Sequence, residues 1–161
     1  MKITRPIRAV LFDMDGVMVD SEFVYMKYLL EFAREKNPAV TMEDINPMVG
    51  RSRQDSWAVD NGESWETLIK EWADRDIYSR IDYRKIFRPE MKTTVQELKR
   101  RGYTVALVSS TGPKLISRIV EEVGMRPEFD LIVSGKQFKQ SKPNPEIYHY
   151  TADTLGIRED E

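Results

Sequence analysis

Apolar residues gather in this chain at two different spacings, and the two spacings mark two kinds of element. Three short continuous runs, Ala9 to Phe12, Val105 to Val108 and Leu131 to Val133, each stop at polar residues. Runs of this length are what strands buried on both faces require. Between the second and third runs, Ile116, Ile119, Val120 and Val123 recur at helical spacing within Pro113 to Val123, with Gly112 before the segment and Gly124 after it. This reads as a strand, a helix with ordinary start and stop residues, and a second strand. Met91, Val95 and Leu98 mark another helix ended by Gly102, and Pro145 opens one that carries Ile147, Thr151 and Leu155 and stops near Gly156. Strands alternating with helices of this length predict an α/β architecture, a parallel sheet covered on both faces.

Ser21 to Arg88 breaks the alternation, because it lies between the first strand and its next helix and is too long for a simple crossover. It is expected to be an insertion. Met26, Leu29, Leu30 and Ala33 share one helical face that ends near Asn37-Pro38, and further helices are expected from Ser52 to Asp60 and from Ser64 to Asp82. The division this implies is residues 1–20 and 89–161 for the sheet core and residues 21–88 for a helical cap, with linkers near Asp20 and near Arg88-Pro89. The chain contains no internal repeat and no low-complexity segment.

Composition narrows the class. With 161 residues, 40% of them apolar, the chain can bury one ordinary core. Its 25 basic and 27 acidic residues nearly cancel, and basic residues cluster only in short pieces such as Lys99-Arg100-Arg101. Electrostatics therefore gives nucleic-acid binding no support. The absence of Cys excludes a disulfide framework and a thiolate metal site, and it suits a reducing cytoplasm. The run from Ala9 stops at Asp13, short of a signal-peptide core, and no other run approaches membrane-spanning length. The expectation is a cytoplasmic protein with neither a nucleic-acid nor a membrane partner.

Three stretches carry candidate chemistry. Phe12-Asp13-Met14-Asp15-Gly16-Val17 falls at the predicted C-terminal end of the first strand, where ligands bind in open α/β sheets. Two carboxylates two residues apart, beside a Gly that lets the backbone turn sharply, can face one cavity, one attacking while the other handles a proton. Asp15-Gly16 between apolar residues is equally a hairpin-turn signal. A calcium loop is excluded, since Val17 stands where the third oxygen ligand belongs. Val108-Ser109-Ser110-Thr111-Gly112-Pro113 places hydroxyls and backbone N–H groups at a helix start, which suits a phosphate or an ordinary N-cap. Ser141-Lys142-Pro143-Asn144-Pro145 is a rigid turn presenting a lysine, either a solvated surface charge or a cation set beside the carboxylates and a phosphate oxygen.

In that order, and at one edge of the sheet, these stretches resemble the haloacid dehalogenase superfamily. Asp20-Ser21-Glu22, Gly50-Arg51-Ser52-Arg53-Gln54-Asp55-Ser56, Ser141-Lys142-Pro143 and Leu155-Gly156-Ile157 are similar to its β-phosphoglucomutase-like branch, which carries a helical cap on a Rossmann-like core. The resemblance implies that Asp13 attacks phosphorus to give an aspartyl phosphate. Asp15 would protonate the leaving oxygen and then activate water or an acceptor hydroxyl. Mg2+ would be held by the Asp13 carboxylate and the Asp15 backbone carbonyl. Ser109, the Ser110 backbone N–H and Lys142 would bind the phosphoryl oxygens. In the cap, Arg53 is the candidate for gripping a second anionic group of the substrate, since guanidinium forms bidentate pairs with such oxygens, and a helix-surface Arg is the alternative.

The sequence departs from the branch in two places. Tyr25 stands where sugar-phosphate mutases of the branch have a His, which favours a phosphatase of small phosphorylated metabolites such as sugar phosphates over a mutase. The sequence also stops at Arg158-Glu159-Asp160-Glu161, where relatives begin the fourth strand that ends in further metal-binding acids. The expected core is accordingly C-terminally incomplete, with an exposed first-strand edge open to self-association and with weak Mg2+ binding. A non-catalytic, partner-binding fragment is therefore a rival reading. A phosphoacceptor signalling domain is another, opposed by the long insertion. Trp57, Trp65 and Trp72 are read as helix packing ahead of sugar stacking, and His149, the only His, as a helix-surface residue.

Overall fold

The structure is a computed structural model that describes residues 6–46, 70–72, 74–140, 142–158 and 160–161. Among these, the elements follow in the order β1 (Ala9–Phe12), α1 (Ser21–Lys36), α2 (Met42–Ile45), α3 (Glu90–Arg100), β2 (Thr104–Ser109), α4 (Pro113–Glu122), β3 (Leu131–Ser134) and α5 (Glu146–Leu155). The chain divides into two units, one of Met1–Asp20 with Tyr83–Glu161 and one of Ser21–Asp82.

The first unit is organised by a parallel sheet in the order β1-β2-β3. Register runs from Ala9 opposite Thr104 to Phe12 opposite Leu107, and from Ala106 opposite Leu131 to Ser109 opposite Ser134. The three apolar runs of the sequence are these strands, with β2 and β3 each extended into the adjoining Ser. Side chains alternate across the sheet. Ala106 and Val108 pack with Val133 and with Ile147 of α5, while Val105 and Leu107 are directed to the opposite face and are fully buried. Helix α3 buries Met91 and Val95 and packs along β2, and α4 buries Ile116, Ile119 and Val120. Central β2 is buried from Val105 to Ser109, whereas β1 is half-buried at all four positions and pairs, among the described residues, on its β2 side alone. This is a Rossmann-like layering of helix, parallel sheet and helix.

Helix ends follow the local sequence. Asn144 Oδ1 accepts the Glu146 N–H at the start of α5, and Gly156 ends that helix in the left-handed region at φ 64°. At the start of α4 the N-cap is Gly112, with Pro113 in the first turn and no side-chain cap, so the preceding hydroxyls do not serve as caps.

The second passage between units falls at Asp82-Tyr83 rather than near Arg88-Pro89. Tyr83 is fully buried and its N–H donates to Glu122 of the first unit. Asp20 N–H donates to the Ile86 carbonyl and Arg88 N–H to the Met18 carbonyl, with an antiparallel bridge between Val19 and Phe87. Residues 83–88 are therefore tied to the first unit by backbone hydrogen bonds that apolar periodicity does not reveal.

In the second unit, α1 packs Phe32 against Trp72 and Ile77, and Ala33 against Val40 and Ile45. The helix expected to reach Asp82 stops before Asp76, which takes φ 43° and leads into a 3-10 turn over Ile77–Arg80. Asp tolerates the left-handed region better than most residues, and its presence there ends the helical hydrogen bonding. The expected helix from Ser52 to Asp60 lies outside the described residues.

Asp130, just before β3, ties three elements of the sheet unit together. Its Oδ2 accepts the buried Val105 N–H at 2.8 Å and its Oδ1 pairs with Lys99 of α3 at 2.8 Å. Burial pushes its carboxyl up, but the hydrogen bonds from Lys99 and Val105 outweigh this and hold it below its ordinary value. A depressed folded-state value means the stabilisation is complete above the unfolded carboxyl's pKa of about 3.9 and is lost as pH falls through the lower folded value. Asp130→Ala is expected to cost about 1–3 kcal/mol in urea unfolding at pH 7, because the Val105 N–H is left buried without a partner. That cost should shrink when the measurement is repeated below about pH 3.5.

Candidate active site

The C-terminal ends of parallel strands open on the same edge of a sheet, so residues following β1, β2 and β3 converge there although the sequence scatters them. Asp13 directly follows β1 and is half-buried. Its Oδ1 accepts the Met14 N–H at 2.8 Å and the Lys142 ammonium at 2.8 Å. Lys142 also donates to the Val108 carbonyl at 3.0 Å, which fixes the ammonium between the ends of β1 and β2. The lysine is therefore not a solvated surface charge, its side chain being 17% exposed. Asp13 Oδ2 accepts from none of the described residues, so one oxygen of the carboxylate is oriented by two donors while the other remains available to a ligand.

After Asp13 the backbone turns back on itself. Gly16 takes φ 73°, its N–H donates to the Val19 carbonyl, and Met18 and Val19 both donate to the Met14 carbonyl. Since β1 pairs in parallel with β2, the hairpin reading of Asp15-Gly16 does not hold. The turn instead buries Met14, Met18 and Val19 completely and leaves Asp15 half-buried at the sheet edge. Asp15 Oδ2 accepts the Thr111 hydroxyl at 2.8 Å.

The segment after β2 is held from both sides. Ser109 is fully buried and its Oγ accepts the Thr111 N–H at 3.0 Å, while the Thr111 carbonyl accepts the Ser134 hydroxyl at 2.6 Å. Ser110, between them, is exposed. Gly135 approaches this segment so closely that a Cβ there would lie 3.2 Å from Ser110 Cα and 3.4 Å from the Ser109 carbonyl oxygen.

The structure thus joins Asp13 directly to Lys142, and links Asp15 to Ser109 through Thr111. Arg53 and Ser141 lie outside the described residues, as do Trp57, Trp65 and Glu159. Trp72 packs on Phe32 with ring centroids 5.5 Å apart, and His149 is exposed on α5. Thr111 belongs to the hydroxyl stretch after β2, whereas Ser134 and Gly135 carry no motif that marks them in the sequence. The available signal was the Ser134-Gly135 pair directly after an apolar run, in the same position relative to its strand as Ser109-Ser110.

A hard divalent cation takes oxygen ligands, and Mg2+ is satisfied by one or two carboxylates together with phosphate and water oxygens. The Asp13 carboxylate is a ligand of this kind. No group of three or more His, Cys, Asp or Glu stands together among the described residues. The Asp13 carboxylate therefore fits an Mg2+ ion that takes further oxygens from phosphate and water.

An Asp-x-Asp-Gly turn after the first strand, hydroxyls after the second and a lysine reaching back to the first Asp thus meet at one edge of a Rossmann-like core. The sequence profile of the haloacid dehalogenase-like hydrolases matches residues 7–161, and the chain belongs to that family. It is similar to hexitol phosphatase B of Escherichia coli K12, at 26% identity over 165 residues covering 98% of this chain and 73% of that protein. It is also similar to a phosphoglycolate phosphatase of Photorhabdus laumondii, at 23% identity over 176 residues covering 99% of this chain and 72% of that one. The crystal structure of a β-phosphoglucomutase from Clostridium difficile shares the fold, with a TM-score of 0.66 at 19% identity over 94% of this chain and 72% of that chain. Among the described residues no helix is long and apolar enough to cross a membrane.

Gly135→Ala is expected to push the Ser109–Ser110 backbone aside by a few tenths of an ångström, because its new methyl meets backbone rather than a flexible side chain. Overpacking of this sort costs about 1–3 kcal/mol, to be read as a lowered urea midpoint.

Proposed function

We propose that the protein is a Mg2+-dependent phosphatase of small phosphorylated metabolites, with sugar phosphates as the favoured class, acting through an aspartyl phosphate on Asp13. The observation that carries this reading is the Asp13 carboxylate itself. One oxygen is pinned by Lys142 and the Met14 N–H, and the other accepts from none of the described residues. That is the posture of a nucleophile rather than of a structural ion pair. The named activities of the Escherichia coli and Photorhabdus relatives support phosphate-ester hydrolysis.

In the first step Asp13 Oδ2 forms a bond to phosphorus as the bond from phosphorus to the substrate oxygen breaks, and Asp15 gives its proton to that departing oxygen. In the second, water attacks the same phosphorus while Asp15 takes the proton, and the bond to Asp13 breaks to release inorganic phosphate. Phosphoryl transfer asks chiefly for alignment and for donors and cations around three charged oxygens. Lys142, the Ser109 hydroxyl and the Ser110 N–H meet that need at the ends of β1 and β2. Lys142 additionally offsets the repulsion between the Asp13 carboxylate and an incoming phosphate. Mg2+, held by Asp13 and the Asp15 backbone carbonyl, would supply further charge neutralisation at the phosphoryl group. In this reading the inserted helical unit is a cap, and Arg53 within it grips a second anionic group of the substrate.

Release of inorganic phosphate from a panel of sugar phosphates in the presence of Mg2+ tests the proposal. Turnover should fall by at least about 10³-fold in Asp13→Asn, as expected for removal of a nucleophile. Stable phosphorylation without turnover would instead indicate a phosphoacceptor domain, and neither signal would indicate a binding protein. Lys142→Ala should lower kcat by about 10²–10³-fold, the usual effect of removing one preorganised donor, equivalent to roughly 3–4 kcal/mol. With glucose 1-phosphate, appearance of free glucose rather than glucose 6-phosphate distinguishes hydrolysis from isomerisation.

A further inference from the structure

We infer that Thr111 is a positioning residue for Asp15, holding its carboxyl in one orientation through both proton transfers of the proposed reaction. The inference rests on Asp15 being the acid and base of that reaction, and it assigns the device that makes a single carboxyl serve both roles.

The hydroxyl of Thr111 lies 2.8 Å from Asp15 Oδ2. The hydroxyl donates to Oδ2, which can accept whether the carboxyl is ionised or carries its proton on Oδ1. The contact therefore survives the change of protonation state, while the proton to be transferred is carried on the carboxyl oxygen that does not face Thr111. An acid and base that must protonate a departing oxygen and then deprotonate a water at nearly the same point benefits from such a partner.

Thr111 can act this way because it is itself immobilised. Its N–H is held by Ser109 Oγ at 3.0 Å and its carbonyl by the Ser134 hydroxyl at 2.6 Å. Ser134 is in turn held by the Lys136 N–H at 3.3 Å and lies opposite Ser109 in the sheet register. The Asp15 carboxyl is thus referred, through one side chain, to the ends of two buried strands. As a β-branched residue Thr111 also has few χ1 choices, so holding its backbone holds its hydroxyl. The Gly112 N-cap and the lack of a side-chain cap on α4 show that the hydroxyl is not committed to the helix start.

The test compares Thr111→Val, which keeps the shape and removes the hydroxyl, with Thr111→Ser, which keeps the hydroxyl. The substrates are a sugar phosphate, whose alkoxide leaving group needs a proton, and p-nitrophenyl phosphate, whose leaving group does not. Thr111→Val should lower kcat/KM for the sugar phosphate roughly 10- to 100-fold, part of the 10²–10⁴ that proton transfer contributes. It should leave kcat/KM for p-nitrophenyl phosphate within about 3-fold, since that parameter ends at the first irreversible step and no proton is required there. Thr111→Ser should restore most of the loss. Equal losses on both substrates, or none on either, would overturn the inference while leaving the phosphatase reading intact, because Asp13→Asn still reports on the latter. A readout independent of turnover is the carboxyl carbon resonance of Asp15 in isotope-labelled protein. It should shift or broaden in Thr111→Val and return in Thr111→Ser, and an unchanged resonance in Thr111→Val would also overturn the inference.

Discussion

Everything in the site depends on the parallel pairing of β1 with β2. Antiparallel neighbours would have placed the end of one strand beside the start of the other. Parallel neighbours place both C-terminal ends on one edge, and the register that sets Phe12 opposite Leu107 fixes how far each end protrudes. Parallel strands require long connections, so the residues that meet are remote in sequence. Asp15 and Thr111 are 96 positions apart, and Asp13 and Lys142 are 129 apart. The burial of β2 on both faces, between Ile147 of α5 on one side and α3 on the other, holds this pairing in place. A slip in register would move β2's apolar side chains onto the wrong face as well as dismantling the site.

On that frame, charge is balanced locally. A half-buried carboxylate is costly unless compensated, and Asp13 is compensated by a lysine that the Val108 carbonyl also holds. One cation thus offsets the Asp13 charge while tied to the end of β2. By contrast, the basic cluster Lys99-Arg100-Arg101 is absorbed by surface carboxylates. Lys99 pairs with Asp130, and Arg100 and Arg101 both pair with Glu97, whose carboxyl is pulled down to about 2 by hydrogen bonds from Arg100 and Arg101. These exposed pairs order the surface of α3 and add little stability.

The hydroxyl residues show how one residue type divides its labour. Ser109 and Thr111 are two residues apart, yet the first accepts a backbone N–H and the second donates to a carboxylate, while Ser134 on the neighbouring strand clamps the backbone between them. None of the three caps α4. Gly135, just beyond β3, lies so close to Ser110 that a Cβ there would meet the Ser109–Ser110 backbone.

Much of this was legible in the chain itself. The three strands are short apolar runs because strands buried on both faces leave no polar alternation, and α4 is visible because its buried Ile116, Ile119 and Val120 recur at helical spacing. Asp13, Ser109 and Lys142 stood out because each follows or precedes such an element with residue types that chemistry needs. What only the tertiary structure decided is of a different kind. Whether Asp15-Gly16 is a hairpin depends on which strand pairs with β1, and that is a non-local choice. The tie of residues 83–88 to the sheet unit rests on backbone hydrogen bonds, which side-chain patterns do not encode. The partnership of Thr111 with Asp15 exists only because two strand ends lie side by side. Local sequence sets what each segment can become, but a contact between residues 96 positions apart is created by packing and is visible only once the packing is known.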